Sequence, residues 1–137
     1  MIEFHYEIDF EIKDSERTSE WIEQLIIEEG KEMGEITYIF CNDKFLLERN
    51  QKYLNHDTLT DIITFDYCQG DIISSDIMIS IDRVKENSTI FENSFSDELK
   101  RVMSHGILHL IGYDDHNEKD KEIMREKENY YINKFVI

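Results

Sequence analysis

Residues 99–111 constrain the fold of this chain more than any other segment. At helical spacing their apolar side chains cover most of a helical wheel, and two histidines, His105 and His109, share one of its faces. A helix that is apolar on most sides is buried in the protein. Gly112 follows directly, and glycine accepts the left-handed conformation that ends a helix and reverses the chain. The sequence therefore predicts a buried helix with two imidazoles near its end.

Periodicity elsewhere predicts one α/β or α+β domain over residues 1–137, with a mixed sheet of about four strands and about five helices. The predicted strands are residues 2–12, 36–41, 61–65 and 72–81. The predicted helices are residues 15–33, 43–54, 82–91, 96–111 and 118–135, and residues 118–129 of the last are expected to be exposed and salt-bridged. Asn42 or Asp43 caps the second of these helices, and Gly34 ends the first.

Charge excludes one class of function. The chain has 137 residues and a formal net charge of −16, from 31 acidic and 15 basic side chains. An open basic surface that grips nucleic acid by charge alone is incompatible with this balance. Any RNA contact must use a small local patch, helped by a metal cation.

Cysteine content and hydropathy set the expected location. Cys41 and Cys68 lie 27 positions apart without a second pair, which predicts buried free thiols and neither a zinc ribbon nor a disulfide framework. No run of about 18 apolar residues occurs, and residues 1–4 lack the features of a secretory signal. We therefore expect a cytoplasmic protein with no membrane partner.

The histidine pair predicts a metal site. His105 and His109 are four residues apart, so both imidazoles lie on one face of the predicted helix, close enough to share an ion. The turn after the helix can bring a third ligand back, for which Asp115 and His116 are candidates and Asp114 a weaker one. Two imidazoles, one further donor and an open position for water are typical of catalytic zinc. Such an ion lowers the pKa of bound water to about 7.

The same spacing occurs in zinc peptidases, whose general-base glutamate directly follows the first histidine. Gly106 occupies that position here and carries no base. The sequence therefore argues against peptidase activity.

Residues 105–114, His-Gly-Ile-Leu-His-Leu-Ile-Gly-Tyr-Asp, resemble the signature of the YbeY-type endoribonucleases, the bacterial rRNA maturation factors. Residues 57–65 are similar to the Asp-x-Pro-Thr-Asp-Val-Leu-Ser-Phe segment of that family. Residues 75–79 are similar to its Gly-Asp-[Leu/Ile]-x-Ile strand. These blocks occur in family order over most of the chain.

The resemblance implies one α/β domain with a single zinc ion in a cleft and no organic cofactor. It implies a hydrolase, a single-strand-specific endonuclease that matures the 3′ end of 16S rRNA and takes part in small-subunit quality control. Its partners would be ribosomal RNA and the small ribosomal subunit, with ribosomal proteins, whose basic surfaces complement the acidic charge of this chain.

Four positions depart from the family pattern. Asp115 stands where the family has its third histidine, and Met124 follows nine residues later, as the pattern requires. The expected zinc ligands are therefore His105, His109 and Asp115, with His116 as the alternative third ligand. Leu54 replaces an arginine suited to a scissile phosphate. Leucine and serine, at positions 59 and 75, replace a proline and a glycine.

The catalytic residues stay open, with Asp114 and Asp61 as candidates for the general base and His56 as a candidate to replace the family arginine. An alternative function also stays open, that of a non-catalytic ribosome-assembly factor with a structural zinc site. The leucine at position 54 and the net charge of −16 favour this alternative, and the open pattern of metal ligands opposes it.

Overall fold

The computed structural model describes residues 1–54 and 60–135, and for residues 53 and 54 it describes the backbone alone. The strands are β1 (Ile2–Tyr6), β2 (Glu32–Cys41), β3 (Ile62–Asp66) and β4 (Ile72–Ser80). The helices are α1 (Ser15–Glu28), α2 (Asp43–Leu54), α3 (Ile81–Ile90), α4 (Phe95–Ile111) and α5 (Glu118–Asn133). Within the described residues, the prediction of a four-stranded sheet with five helices is confirmed.

The sheet is mixed, with strand order β1-β2-β4-β3. β1 and β4 both pair with β2 in parallel, and β3 pairs with β4 in the antiparallel direction. The register places Tyr38 between Phe4 and Ile77, and Ile77 opposite Thr64. Because β3 lies at an edge of the sheet, the residues just before it are free to border a cavity.

Two predicted boundaries are wrong by five residues or more. β1 ends at Tyr6, not at residue 12, although Phe10 beyond it still packs against Phe40, with ring centroids 5.5 Å apart. The chain therefore still packs inward beyond the end of the strand, which explains why the alternating pattern continues past Tyr6. α1 ends at Glu28, not at residue 33, because Gly30 adopts a φ of +80° there. Gly34 lies within β2.

Helix α4 lies at the centre of the fold, as its apolar character predicts. It packs against β3, β4, α1, α3 and α5. Its inward side chains include Val102, Met103, Ile107 and Leu108, all buried. The hydroxyl of buried Tyr38 donates to the carbonyl oxygen of Met103 at 3.0 Å, which ties β2 to this helix.

Both cysteines are free thiols, Cys41 buried and Cys68 half-buried. Burial raises the pKa of Cys41 to about 12. The prediction of free thiols is confirmed. The prediction of burial is correct for Cys41, whereas Cys68 is only half-buried. Within residues 1–54 and 60–135, no helix is long and apolar enough to cross a membrane.

Gly106 sets how closely α4 approaches β3. A Cβ atom at this position would lie 2.9 Å from Cδ1 of Ile62 and 3.3 Å from Cγ2 of Thr64. The position where zinc peptidases carry their glutamate therefore faces the sheet, where a Cβ atom already meets two side chains of β3.

We expect Gly106→Glu to lower the free energy of unfolding by more than about 3 kcal/mol, because it forces a carboxylate into a packed interface. Gly106→Ala is the matched control, since its methyl group meets mainly the end of the flexible Ile62 side chain. It should cost less than about 1.5 kcal/mol. Urea unfolding of both variants measures the difference, and equal stabilities would contradict this account of Gly106.

Candidate functional site

The predicted metal ligands line one cavity of about 280 Å³. It lies between the C-terminal half of α4, the start of β3 and the loop that follows α4. Its lining residues are Thr60, Asp61, Ile62, Thr64, His105, Gly106, His109 and Asp115. We call this space the histidine cavity.

The end of α4 brings its following loop back toward His105. Gly112 has a φ of +129°, and the amides of Gly112 and Tyr113 both donate to the carbonyl of Leu108, at 3.1 and 3.0 Å. The chain then reverses, so that Oδ2 of Asp115 lies 3.6 Å from Nε2 of His105. Two ligands bound to one tetrahedral zinc are about 3.4 Å apart, so this pair fits a shared ion.

His109 lines the same cavity one helical turn further along, and its side chain is exposed. Within the described part of the chain, no three His, Cys, Asp or Glu side chains gather tightly enough to hold an ion. The structure thus brings His105, His109 and Asp115 to one cavity, and their joint coordination of zinc stays a prediction.

The other candidates are placed differently. The imidazole of His116 is 77% exposed and lies 3.7 Å from a carboxylate oxygen of exposed Asp114. Neither residue lines the histidine cavity. As third ligand, the placement favours Asp115 over His116. The catalytic candidate His56 and the loop position 59 lie outside the described residues, as does the side chain of Leu54.

Asp61 lies at the cavity wall directly before β3. Its backbone carbonyl accepts from the amide of Ser80 at 2.9 Å, which anchors this position to the neighbouring strand. Burial raises the pKa of the Asp61 carboxyl, and the nearby His105 offsets part of that rise. A carboxyl group with a raised pKa inside a cavity is suited to proton transfer.

Glu128 holds His105 and was not among the predicted site residues. Oε2 of Glu128 lies 2.7 Å from Nδ1 of His105, and its Oε1 accepts from Nη1 of Arg101 at 3.1 Å. Glu128 is 5% exposed, so the prediction that α5 is an exposed salt-bridged helix is wrong for its inner face. Residues four apart share one face of a helix, so Arg101 lies on the His105 face of α4 and Glu128 lies on the Met124 face of α5. This spacing was the available clue in the sequence.

This hydrogen bond determines which nitrogen of His105 faces the cavity. When Nδ1–H donates to the Glu128 carboxylate, the lone pair of Nε2 is available on the side of Asp115. A carboxylate behind a histidine fixes its tautomer and ring orientation in many metal sites. The arrangement suits His105 as a ligand through Nε2.

Burial by itself lowers the pKa of His105, but the carboxylates of Glu128, Asp115 and Asp61 outweigh it and raise the pKa. A raised folded-state pKa contributes stability that is fully present below the unfolded value of about 6.5 and is lost as pH rises through the folded value. In metal-free protein, we expect His105→Gln to cost more stability at pH 5.5 than at pH 9. Urea unfolding at the two pH values tests this, and an equal cost at both would contradict it.

A second, half-buried carboxylate holds the loop that carries Asp115. Glu29, at the end of α1, accepts hydrogen bonds from the hydroxyls of Tyr113 and Tyr131 and from Nζ of Lys127. Burial raises the pKa of Glu29, but these three donors outweigh it and lower the pKa. Tyr113 lies two residues before Asp115, so this network fixes the start of the loop.

A larger cavity of about 390 Å³ adjoins the histidine cavity and shares Asp61, His105 and Asp115 with it. It lies between α3, α4 and α5, and we call it the α3–α5 cavity. Its other lining residues are Asn87, Phe91, Asn93, Glu98, Arg101, Val102, Lys121, Met124, Arg125 and Glu128.

Comparison with known proteins gives a consistent result. A model of the family described as endoribonuclease YbeY matches residues 3–136. Endoribonuclease YbeY of Flavobacterium psychrophilum is 54% identical over 137 residues, covering 100% of this chain and 98% of that protein. The protein of the same name from Flavobacterium johnsoniae is 50% identical, covering 100% of this chain and 99% of the relative. The solution structure of TM1509 from Thermotoga maritima superimposes with a TM-score of 0.69 at 30% identity, covering 98% of this chain and 89% of that one.

Proposed function

Because this chain belongs to the endoribonuclease YbeY family, we propose that it is a zinc-dependent hydrolase that cleaves single-stranded RNA. Its substrate would be ribosomal RNA, at the 3′ end of 16S rRNA, within small-subunit maturation and quality control in the cytoplasm. The observation that carries the proposal is the histidine cavity, where two imidazoles and two carboxylates from separate segments line one small space.

The residues of this cavity divide into two roles. His105, His109 and Asp115 would hold one zinc ion, which when bound supplies a Lewis acid for a phosphoryl oxygen and lowers the pKa of water. Asp61 would hold or accept a proton beside the scissile phosphate, since its carboxyl lines the same cavity and its pKa is raised by burial. Asp115 in place of a histidine adds a negative charge to the ligand set.

The acidic charge of the chain bears on its partner. A protein with a formal net charge of −16 repels free RNA at long range. Ribosomal proteins that are basic would offset this repulsion and provide a complementary docking surface. We therefore propose that the substrate is RNA already assembled in a small-subunit particle.

A cleavage assay tests the enzymatic part of this proposal. Zinc-loaded protein should cut a fluorescently labelled single-stranded RNA, and His109→Ala should lower the rate at least about 100-fold by removing a metal ligand. His5→Ala is the matched control, because His5 is exposed on β1 and lines neither cavity. Equal cleavage by wild type and His109→Ala would point to a contaminating nuclease and contradict the proposal.

The second candidate function is a non-catalytic ribosome-assembly factor with a structural zinc site. Leucine at position 54, where the family has arginine, favours it because leucine cannot bind a scissile phosphate. Adding small-subunit particles to the cleavage assay distinguishes the two functions. A zinc-loaded wild-type protein that binds small-subunit particles and leaves RNA intact would support the assembly factor.

A further inference from the structure

The α3–α5 cavity opens beside the histidine cavity, with Asp61, His105 and Asp115 forming the border that both share. A polymer cut in the histidine cavity must continue past its borders on both sides of the cut bond. The α3–α5 cavity is therefore one direct continuation of the path of a bound strand.

Two cations line this cavity from α5. Lys121 and Arg125 are exposed and four residues apart, so they lie on the same helix face. Across residues 1–54 and 60–135, neither side chain forms an ion pair or a hydrogen bond. Arg101, which also lines this cavity, instead forms an ion pair with Glu128. These two positive charges are therefore available to an external anion.

Two of the four acidic side chains that line this cavity, Glu98 and Glu128, already have partners within the protein. Glu128 binds Arg101 and His105. Glu98 is buried and accepts from Nδ2 of Asn93 at 3.2 Å, and burial raises the pKa of its carboxyl. The shared border with Asp61 and Asp115 is the acidic end of the cavity, where a metal cation would offset the charge.

An exposed aromatic side chain completes the lining. Phe91 ends α3 and is 56% exposed, which is unusual for a large apolar side chain beside a polar cavity. Single-stranded nucleic acid is commonly bound by cations along its backbone and by an aromatic ring on which a base stacks. The α3–α5 cavity offers both kinds of contact within one space.

We propose that the α3–α5 cavity binds the RNA nucleotides next to the scissile phosphate, with Lys121 and Arg125 contacting backbone phosphates and Phe91 stacking against a base. This inference rests on the proposed nuclease function and adds to it the surface that holds the strand. It also places the phosphate-binding cations of this chain on α5, whereas the family's arginine aligns with Leu54 at the end of α2.

Binding of an uncleavable strand tests the cavity independently of catalysis. The probe is a labelled 12-nucleotide 2′-O-methyl RNA, checked by gel to remain intact, and the readout is fluorescence anisotropy with zinc-loaded protein. The test variant is Lys121→Ala with Arg125→Ala. The matched control is Lys13→Ala with Lys119→Ala, which removes the same charge from exposed positions that line neither cavity, one of them also on α5.

We expect the test variant to raise Kd at least about tenfold and to reduce the slope of log K against log salt by about 1.4, as for the loss of two phosphate contacts on a single strand. The control should change Kd less than about twofold. Phe91→Leu should raise Kd about fivefold and leave the salt slope unchanged, because stacking releases no counterions.

Cleavage kinetics separate this proposal from the function on which it rests. Equal Kd values for the test and control variants, or no binding of the probe by wild type at about 50 mM salt, would overturn the binding cavity. Cleavage by the test variant with unchanged KM would overturn it as well and leave the nuclease intact. Specific binding by wild type without RNA cleavage would instead overturn the nuclease and retain the cavity.

Discussion

His109→Ala is expected to reduce bound zinc from about one ion per chain to less than about 0.1, because a site with one imidazole and one carboxylate cannot compete with buffer and chelators. His105→Ala should have the same effect. Both imidazoles line the histidine cavity, and His105 lies 3.6 Å from Asp115. Metal analysis after dialysis against a weak chelator gives the zinc content directly.

The third ligand is tested in the same experiment. Asp115→Ala should weaken zinc binding by at least about tenfold, whereas His116→Ala should leave zinc content unchanged. The reason is placement, since Asp115 faces His105 and the imidazole of His116 is directed to solvent beside Asp114. A zinc-replete His105→Ala protein would contradict the whole site. Zinc loss in His116→Ala alone would contradict only the choice of Asp115.

Glu128→Ala is expected to lower the free energy of unfolding by about 3–5 kcal/mol. Glu128 is 5% exposed, and its removal leaves the half-buried guanidinium of Arg101 without its carboxylate and Nδ1 of His105 without its acceptor. Nε of Arg101 already lacks a hydrogen-bond partner in the described residues. Urea unfolding of metal-free protein measures the loss.

The same variant tests the role of Glu128 at His105. Zinc affinity should fall about 10–100-fold in Glu128→Ala, the usual effect of removing the carboxylate behind a ligating histidine. Glu128→Gln should recover much of this loss, because its amide oxygen still accepts from Nδ1–H. Nitrogen NMR shifts of His105 in metal-free protein should show a proton on Nδ1 in wild type and Gln and a mixture of tautomers in Ala.

Glu122→Ala is the control for both measurements, because Glu122 is exposed on α5 and lines neither cavity. It should change stability by less than about 0.5 kcal/mol and zinc affinity by less than about twofold. If Glu128→Ala behaved like Glu122→Ala, the hydrogen bond to His105 would have no part in metal binding.

Local pattern was sufficient for several features of this protein. The central helix, its two histidines on one face and the reversal at Gly112 follow from periodicity and from the conformational freedom of glycine, all properties of neighbouring residues. The number of strands and helices follows for the same reason. The boundaries at residues 12 and 33 failed because alternation and helical spacing continue beyond the ends of the hydrogen-bonded elements.

Tertiary structure alone decided the surroundings of the histidines. Glu128 reads as one more charge on a polar helix, and only the packing of α5 against α4 buries it beside His105, 23 residues earlier in the chain. The choice between Asp115 and His116 depends on a turn whose start is held by Glu29, 84 residues before Tyr113. Such contacts join segments far apart in the chain. Which side chains are buried and which charges pair is therefore decided only when the helices and the sheet pack together.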